Sequence, residues 1–194
     1  EGRELEILEE YRGRIPDSVF TEPYTNPQSG DPQARRDNLR EADRLLREAG
    51  FVLKDGRRVN AETGEPFDIE FLGFQPTDER YALPYAQALE RLGIRLDVRI
   101  VDPAQYQNRM RSFDFDLTTA LWPQSLSPGN EQRDMWGSRA ADIPGSQNYA
   151  GIRNPVVDEL IERIVFAETR EELVAATRAL DRVLLHNDYV VPQW

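Results

Sequence analysis

FDFDLTTALWPQSLSPGNEQRDMW, residues 113–136, is the stretch on which the fold turns. Phe115, Leu117, Thr119 and Leu121 alternate with Asp116, Thr118, Ala120 and Trp122. A period of two sends successive side chains to opposite faces, the mark of a β-strand. At its C-terminal end the pattern breaks into Trp122-Pro123, then Gln124, Ser125, Ser127, Pro128-Gly129 and Asn130, before helical spacing resumes toward Trp136. In open α/β sheets, ligands bind outside the carboxyl ends of the strands. Aromatic and neutral polar side chains at that place therefore point to a binding edge. A Trp beside a Pro-Gly turn serves equally well as a core plug.

Working back from this strand, the chain reads as a repeating strand-helix unit. Phe67, Ile69 and Phe71 alternate with Asp68 and Glu70 as one strand, and Leu96, Val98 and Ile100 make another. Between them Tyr85, Ala88, Leu89 and Leu92 lie at helical spacing and Gly93 stops the helix. Pro84 predicts either a helix starting at Leu83 or a kink there, because an internal proline removes a hydrogen bond. Asp102-Pro103-Ala104-Gln105 is a capped helix start, and Tyr106, Met110 and Phe113 are expected to face inward. Residues 67–122 are thus βαβαβ, which right-handed crossovers turn into a parallel three-stranded core. The strands alternate with Asp, Glu and Arg rather than running continuously apolar, so one sheet face is expected to be only partly covered.

Further out, Pro32 to Ala49 predicts a helix with Asp31 as N-cap, an apolar stripe of Leu39, Ala42, Leu45, Leu46 and Ala49, and Gly50 as stop. Phe51 to Pro66 predicts a small hairpin with a turn at Lys54-Asp55-Gly56-Arg57. Residues 1–12 carry Leu5, Leu8 and Tyr11 at helical spacing, but Pro16, Pro23 and Pro27 follow among turn formers. Residues 1–30 are therefore expected to be an irregular strap or linker beside a folded unit of 31–194. On the C-terminal side, Ser138 to Arg153 is a polar loop. Two helices follow, one opened by Asn154-Pro155 and one by the capping box Thr169/Glu172. Tyr189 to Pro192 reads as a strand leaving the fold.

The 194 residues carry 24 Lys and Arg against 35 Asp and Glu, a net charge of −11. Such a surface repels phosphate backbones, which argues against nucleic acid as a partner. With no cysteine there is no disulfide scaffold, thiolate metal site or Cys nucleophile. No run approaches the roughly 18 apolar residues of a membrane-spanning helix. His186 is the only histidine and sits at a helix end, where a cation favours the dipole; alone it cannot hold a metal. The sequence offers no catalytic residue set, no metal site and no cofactor motif; Pro128-Gly129-Asn130 lacks the lysine and spacing of a phosphate loop. A carboxylate pair, with Asp114 and Asp116 flanking the strand, leaves a stand-alone carboxylate-dependent hydrolase as the alternative reading. The binding reading uses Trp122, Trp136 and Tyr149 as apolar faces, Gln124, Ser125 and Asn148 as neutral hydrogen-bonding groups, and Arg133 for a carboxylate, with a solvated helix arginine as the alternative role of Arg133. This mixture suits a peptide backbone or sugar hydroxyls.

A series of short motifs carries a resemblance. Asp31-Pro32, Ala49-Gly50-Phe51, Leu92-Gly93-Ile94, Val101-Asp102, Phe113-Asp114-Phe115-Asp116, Ser127-Pro128-Gly129-Asn130-Glu131, Asn148-Tyr149-Ala150-Gly151, Asn154-Pro155-Val156-Val157-Asp158, Ala179-Leu180-Asp181-Arg182 and Val191-Pro192-Gln193-Trp194 follow one another in this order. Together they resemble the C-terminal part of extracellular solute-binding proteins of the oligopeptide and dipeptide type, family 5, and within it the YejA-like branch. The resemblance implies one α/β lobe of a two-lobe periplasmic binding protein of class II type, with a mainly parallel sheet and flanking helices. It implies a non-enzymatic receptor that hands peptides or peptide-like compounds to the permease subunits of an ABC importer. The partner lobe would come from the N-terminal part of the same, longer chain, and a periplasmic signal peptide would be absent because the sequence is a fragment. The family's aromatic-then-acidic ligand motif falls on Trp122 and Ser125, where the second position is not an acid.

Overall fold

The structure, a computed structural model, describes residues 2–192, so Gln193 and Trp194 of the last motif lie outside the described residues. In chain order its elements are helices α1 (Arg3–Glu9), α2 (Ser18–Thr21) and α3 (Pro32–Glu48), strands β1 (Phe51–Lys54), β2 (Arg57–Asn60) and β3 (Asp68–Gly73), helix α4 (Glu79–Glu90), strand β4 (Arg95–Ile100), helix α5 (Pro103–Arg111), strand β5 (Leu117–Thr118), and helices α6 (Glu131–Trp136), α7 (Pro155–Val165) and α8 (Arg170–His186). The chain forms two compact units: Pro27–Thr119, and residues up to Asn26 together with those from Ala120 onward. The expected split of 1–30 against 31–194 is corrected accordingly.

The unit of Pro27–Thr119 holds the parallel sheet, in the order β4-β3-β5 with β3 in the middle. Ile69 pairs with Leu96 and Phe71 with Val98, so these four share a face, and Phe71, Ala82 and Leu96 form the core that this face makes with α4. The opposite parity carries Glu70 and Leu72. There Arg109 meets Glu70 at 2.7 Å and Arg99 meets it at 3.4 Å, while Leu72 is buried. Glu70, a charge that broke the apolar run of the middle strand, is therefore neutralised by Arg99 and Arg109 on this sheet face, and the parallel sheet tolerates it for that reason.

The strand of residues 115–122 is much shorter than its alternation predicts. Only Phe71↔Leu117 and Leu72↔Thr118 pair with β3. Before it, Phe113 takes a left-handed φ of 55°, and the Asp116 carboxylate accepts the Glu70 N–H at 2.8 Å, a side chain replacing a rung of the ladder. Alternation persists in the sequence beyond the last residue that finds a pairing partner.

The other sequence-predicted elements form for the reasons given. Asp31 accepts the N–H of Gln33 at 2.7 Å, and Asp102 accepts those of Ala104 and Gln105 at 3.0 Å. The hairpin β1–β2 closes through Asp55 (φ 51°) and Gly56 (φ 78°), the two positive φ values of a type I′ turn. Helix α4 runs through Pro84 without stopping, and that proline is exposed. Helix α3 forms, but its apolar stripe stays partly open: none of its residues is fully buried, and Leu45 is 51 % exposed. The hairpin is fastened by Arg58, fully buried, which donates to Leu92 O at 2.9 Å and to Asp43 Oδ1 at 2.6 Å.

The second unit is helical. Leu8, Tyr11, Ile15 and Val19 from the first nineteen residues join Ile152 and the inward faces of α7 and α8 in one core. Residues 2–21 are thus not a strap: the helical spacing of Leu5, Leu8 and Tyr11 outweighs the prolines, and even the segment after Pro16 makes a helical turn that buries Val19. Arg182 secures this segment from α8 through Val19 O and Glu22 O. The caps of α7 and α8 are those predicted, with Asn154 accepting Val156 N–H at 2.9 Å and Thr169 and Glu172 capping each other reciprocally. Tyr189 to Pro192 is irregular rather than a strand.

Candidate functional site

After β5 the chain crosses into the helical unit and loses regular structure until α6. Trp122 is fixed there by its indole N–H, which donates to Gln147 O at 2.9 Å. Its ring lies 4.9 Å from that of Trp136 and 5.9 Å from that of Tyr149, both tilted. The three aromatic residues expected to bind ligand therefore form one cluster, each half-buried and so presenting part of a face to solvent. Aromatic pairs at such distances contribute about 0.5–1.5 kcal/mol beyond their area burial.

A chain of amides runs beneath the cluster. Gln132, 3 % exposed, donates to Gln124 Oε1 at 2.7 Å and accepts the Trp136 indole N–H at 3.1 Å. Gln124 is exposed, as is Ser125, whose hydroxyl oxygen accepts the Ser127 N–H at 3.1 Å. Leu121 and Leu126 project from the same segment, Leu126 with 90 % of its surface open. Gly137, which ends α6, must be glycine: a Cβ there would sit 2.6 Å from Arg133 O. That close approach turns the chain from α6 into the loop carrying Asn148 and Tyr149.

Two of the expected ligand contacts have other work. Asn148 is 1 % exposed. Its amide donates to Gly137 O at 2.9 Å and Ile152 O at 3.0 Å and accepts Ile152 N–H at 2.9 Å, which uses its side chain to bracket the loop. Arg133 makes a two-point contact with Glu162, at 2.8 and 2.7 Å, and also reaches Asn130 Oδ1. Its side chain ties α6 to α7. Its pKa is raised and that of Glu162 lowered, chiefly by this hydrogen bonding.

Glu131, absent from the sequence-derived set, belongs to the same network. Its Oε1 accepts the Gly129 N–H at 2.8 Å and the Gln132 amide at 3.3 Å. Burial pushes its pKa up, but the hydrogen bonds it accepts from Gly129, from its own N–H and from Gln132 outweigh that and hold it below the ordinary carboxylate value. His186, expected to cap a helix as a cation, instead sets Nδ1 3.0 Å from Ser18 Oγ and packs edge-on against Tyr24. Its pKa is depressed, first by burial and then by Arg182. It packs within the helical unit, where burial disfavours its charged form.

The sheet unit carries a second aromatic group that the sequence reading missed. At the carboxyl end of β3, Phe74 lies 4.7 Å from the ring of Tyr106 on α5. Nearby Thr119 donates to Tyr81 Oη at 3.1 Å, and Tyr81 donates to Asp78 Oδ1 at 2.9 Å. Asp78, buried, also accepts the N–H groups of Phe74 and Gln75, at 3.0 and 3.1 Å, and so shapes the loop that displays Phe74. The signal was available: the rule that ligands meet strand carboxyl ends applies to β3 as much as to β5. The acids that might have served a hydrolase are engaged structurally, Asp114 with Arg109 at 2.9 Å and Asp116 with the Glu70 N–H. The hydrolase reading has no support in this geometry. Among the described residues no group of His, Asp and Glu is arranged to hold a metal ion, and no helix is long and apolar enough to cross a membrane.

Comparison with known proteins gives the family and the fold. The chain is 59 % identical over 192 residues to the uncharacterised protein y4wM of Sinorhizobium fredii, covering 99 % of this chain and 29 % of that protein. It is 56 % identical over 193 residues to the probable peptide-binding protein YejA of Agrobacterium fabrum, covering all of this chain and 31 % of that one. The chain thus spans under a third of the length of these curated relatives. Among solved structures it superposes on the oligopeptide-binding protein AppA of Bacillus subtilis, which holds a nonapeptide, with a TM-score of 0.70 and 20 % identity over 97 % of this chain and 38 % of that one. That likeness shows a shared fold, of mixed α/β type with a parallel sheet and flanking helices. Residues 6–142 match the model of bacterial extracellular solute-binding proteins, family 5, middle region, and this chain belongs to that family.

Proposed function

We propose that these residues form part of the substrate-binding component of an ABC importer for oligopeptides or peptide-like compounds. In this reading they belong to the C-terminal lobe of a two-lobe periplasmic receptor that delivers cargo to its permease subunits. The observation that carries the proposal is the Trp122, Trp136 and Tyr149 cluster standing on the Gln124–Gln132 amide chain. Rigid aromatic faces next to neutral amides suit peptide groups and side chains without demanding one sequence. Membership of family 5 and the 56 % identity to a probable peptide-binding protein support it.

Trp122, Gln124, Ser125, Trp136 and Tyr149 are the ligand contacts in this proposal; Asn148 and Arg133 position them. Phe74, Tyr81 and Tyr106 are a further apolar and hydroxyl surface at a strand end. Mass spectrometry of small molecules co-purified with the full-length protein tests the proposal. Peptide or peptide-conjugate masses are expected, and a protein that consistently carries only sugars or no ligand argues against it.

A further inference from the structure

Gln124, Gln132 and Trp136 are joined in a hydrogen-bonded chain that fixes which way round each amide stands. An indole N–H can only donate, so the oxygen of the Gln132 amide must face Trp136, and it does so at 3.1 Å. A carboxylate can only accept, and the Gln132 nitrogen lies 3.3 Å from Glu131 Oε1. Both ends of Gln132 are thereby assigned by groups that cannot exchange roles, and at 3 % exposure it is shielded from the solvent that would let it turn. The polarity passes outward. Gln132 Nε2 donates to Gln124 Oε1 at 2.7 Å, so the oxygen of Gln124 points into the network and its nitrogen away from it. One N–H of that nitrogen meets Met135 Sδ, a weak acceptor, at 3.4 Å, and the other has no partner among the described residues. Gln124 itself is exposed. A freely turning amide offers a ligand either a donor or an acceptor; this one offers its donor end.

From this we infer that Gln132 is a positioning residue: by holding the Gln124 amide with an N–H outward, it makes that point of the wall select a hydrogen-bond acceptor, so that a backbone carbonyl of the cargo, not a backbone N–H, sets the register of the peptide. The inference rests on the peptide-binding reading above and deepens it. The competing role for Gln132 is purely structural, tying Trp136 to the loop that carries Gln124.

The test is calorimetric titration of the full-length protein with a pentapeptide of alternating alanine and phenylalanine, and with four variants in which one peptide oxygen at a time is replaced by sulfur, a weaker acceptor. Wild type is expected to lose affinity about fivefold at one peptide bond and little at the other three. Gln124→Ala is expected to abolish that penalty. In Gln132→Glu the penalty should follow pH. At about pH 5 the new carboxyl, kept neutral by burial, still donates to Gln124 Oε1 and the penalty persists; at about pH 9 the carboxylate accepts the Gln124 N–H instead and the penalty disappears. A purely structural Gln132 would weaken all five peptides alike and leave the penalty independent of pH. Equal affinity of wild type for all five peptides overturns the inference, as does a penalty that survives Gln124→Ala or stays constant with pH in Gln132→Glu. If Gln132→Glu fails to fold, Gln132→Met replaces it: that side chain fills the space without directing Gln124, and an undiminished penalty overturns the inference. If wild type binds none of the five, the peptide-binding reading itself fails, and this inference with it; loss of the penalty pattern alone overturns only the inference.

Discussion

Asn148→Ala tests whether a residue that looks like a ligand contact is in fact a bracket. The substitution removes one acceptor and two donor contacts, leaving Ile152 O and Ile152 N–H without these partners where Asn148 is only 1 % exposed, while Gly137 O keeps the Ala140 N–H at 3.0 Å. A buried polar group stripped of its partner costs about 1–3 kcal/mol. Two such groups do not add in full, because the loop relaxes and water enters, so a loss of about 3 kcal/mol is expected. For a chain of this size that corresponds to a fall in Tm of about 6–12 °C. Asn148→Asp should be no better at neutral pH, since a carboxylate can accept from Ile152 N–H but cannot donate to either carbonyl. Urea unfolding followed by tryptophan fluorescence reports on this unit, because Trp122 and Trp136 both lie in it. A loss below about 0.5 kcal/mol, combined with abolished ligand binding, would refute the reasoning and return Asn148 to the ligand surface.

Leu8→Ala, at a position with no exposed surface in the core shared with α7 and α8, is expected to cost about 2–5 kcal/mol in the same unfolding assay; a cost under about 1 kcal/mol would restore the N-terminal residues to the role of a loose strap. His186 gives a pH dependence with a definite sign: its folded pKa lies below the ordinary value of 6.5, so the unfolded chain binds the proton more readily, and stability present above 6.5 is lost as pH falls toward the folded pKa. Arg182, Glu22 and Asp188 surround it, the first disfavouring and the two acids favouring the imidazolium, and His186→Gln should flatten this limb of the stability profile while leaving the limb set by the carboxylates.

Much of the fold was legible because local patterns and tertiary demands coincide. The alternation at 67–71 and 96–100, and the caps at Asp31, Asp102, Asn154 and Thr169, each specify one conformation cheaply, and the structure uses all of them. The failures share one physical cause, since a partner distant in sequence decided the outcome. Alternation through Trp122 could not reveal that β3 pairs with only two residues of this segment. The prolines of residues 16–27 suggested loose chain, but the apolar faces of α7 and α8 captured Val19 and Ile15.

In the candidate site, residue type was legible and role was not. Asn148 and Arg133 are chemically fit for a ligand, yet Asn148 met the backbone of Gly137 and Ile152 while Arg133 met Glu162 on another helix. Glu131 was overlooked as an ordinary helix acid, because nothing in the sequence tells that Gln132 is buried beneath Trp136.

The central claim, that the loop after β5 forms a peptide-binding wall, is tested most directly by titrating an oligopeptide that co-purifies with the full-length receptor into wild type and into Trp122→Ala. Removing the ring takes away the aromatic face packed on Trp136 and Tyr149. A buried aromatic contact of this kind contributes about 2 kcal/mol or more to binding, so affinity should fall at least about thirtyfold with unfolding stability changed far less. Unchanged affinity in Trp122→Ala, with the protein folded, would contradict the account and place the ligand elsewhere.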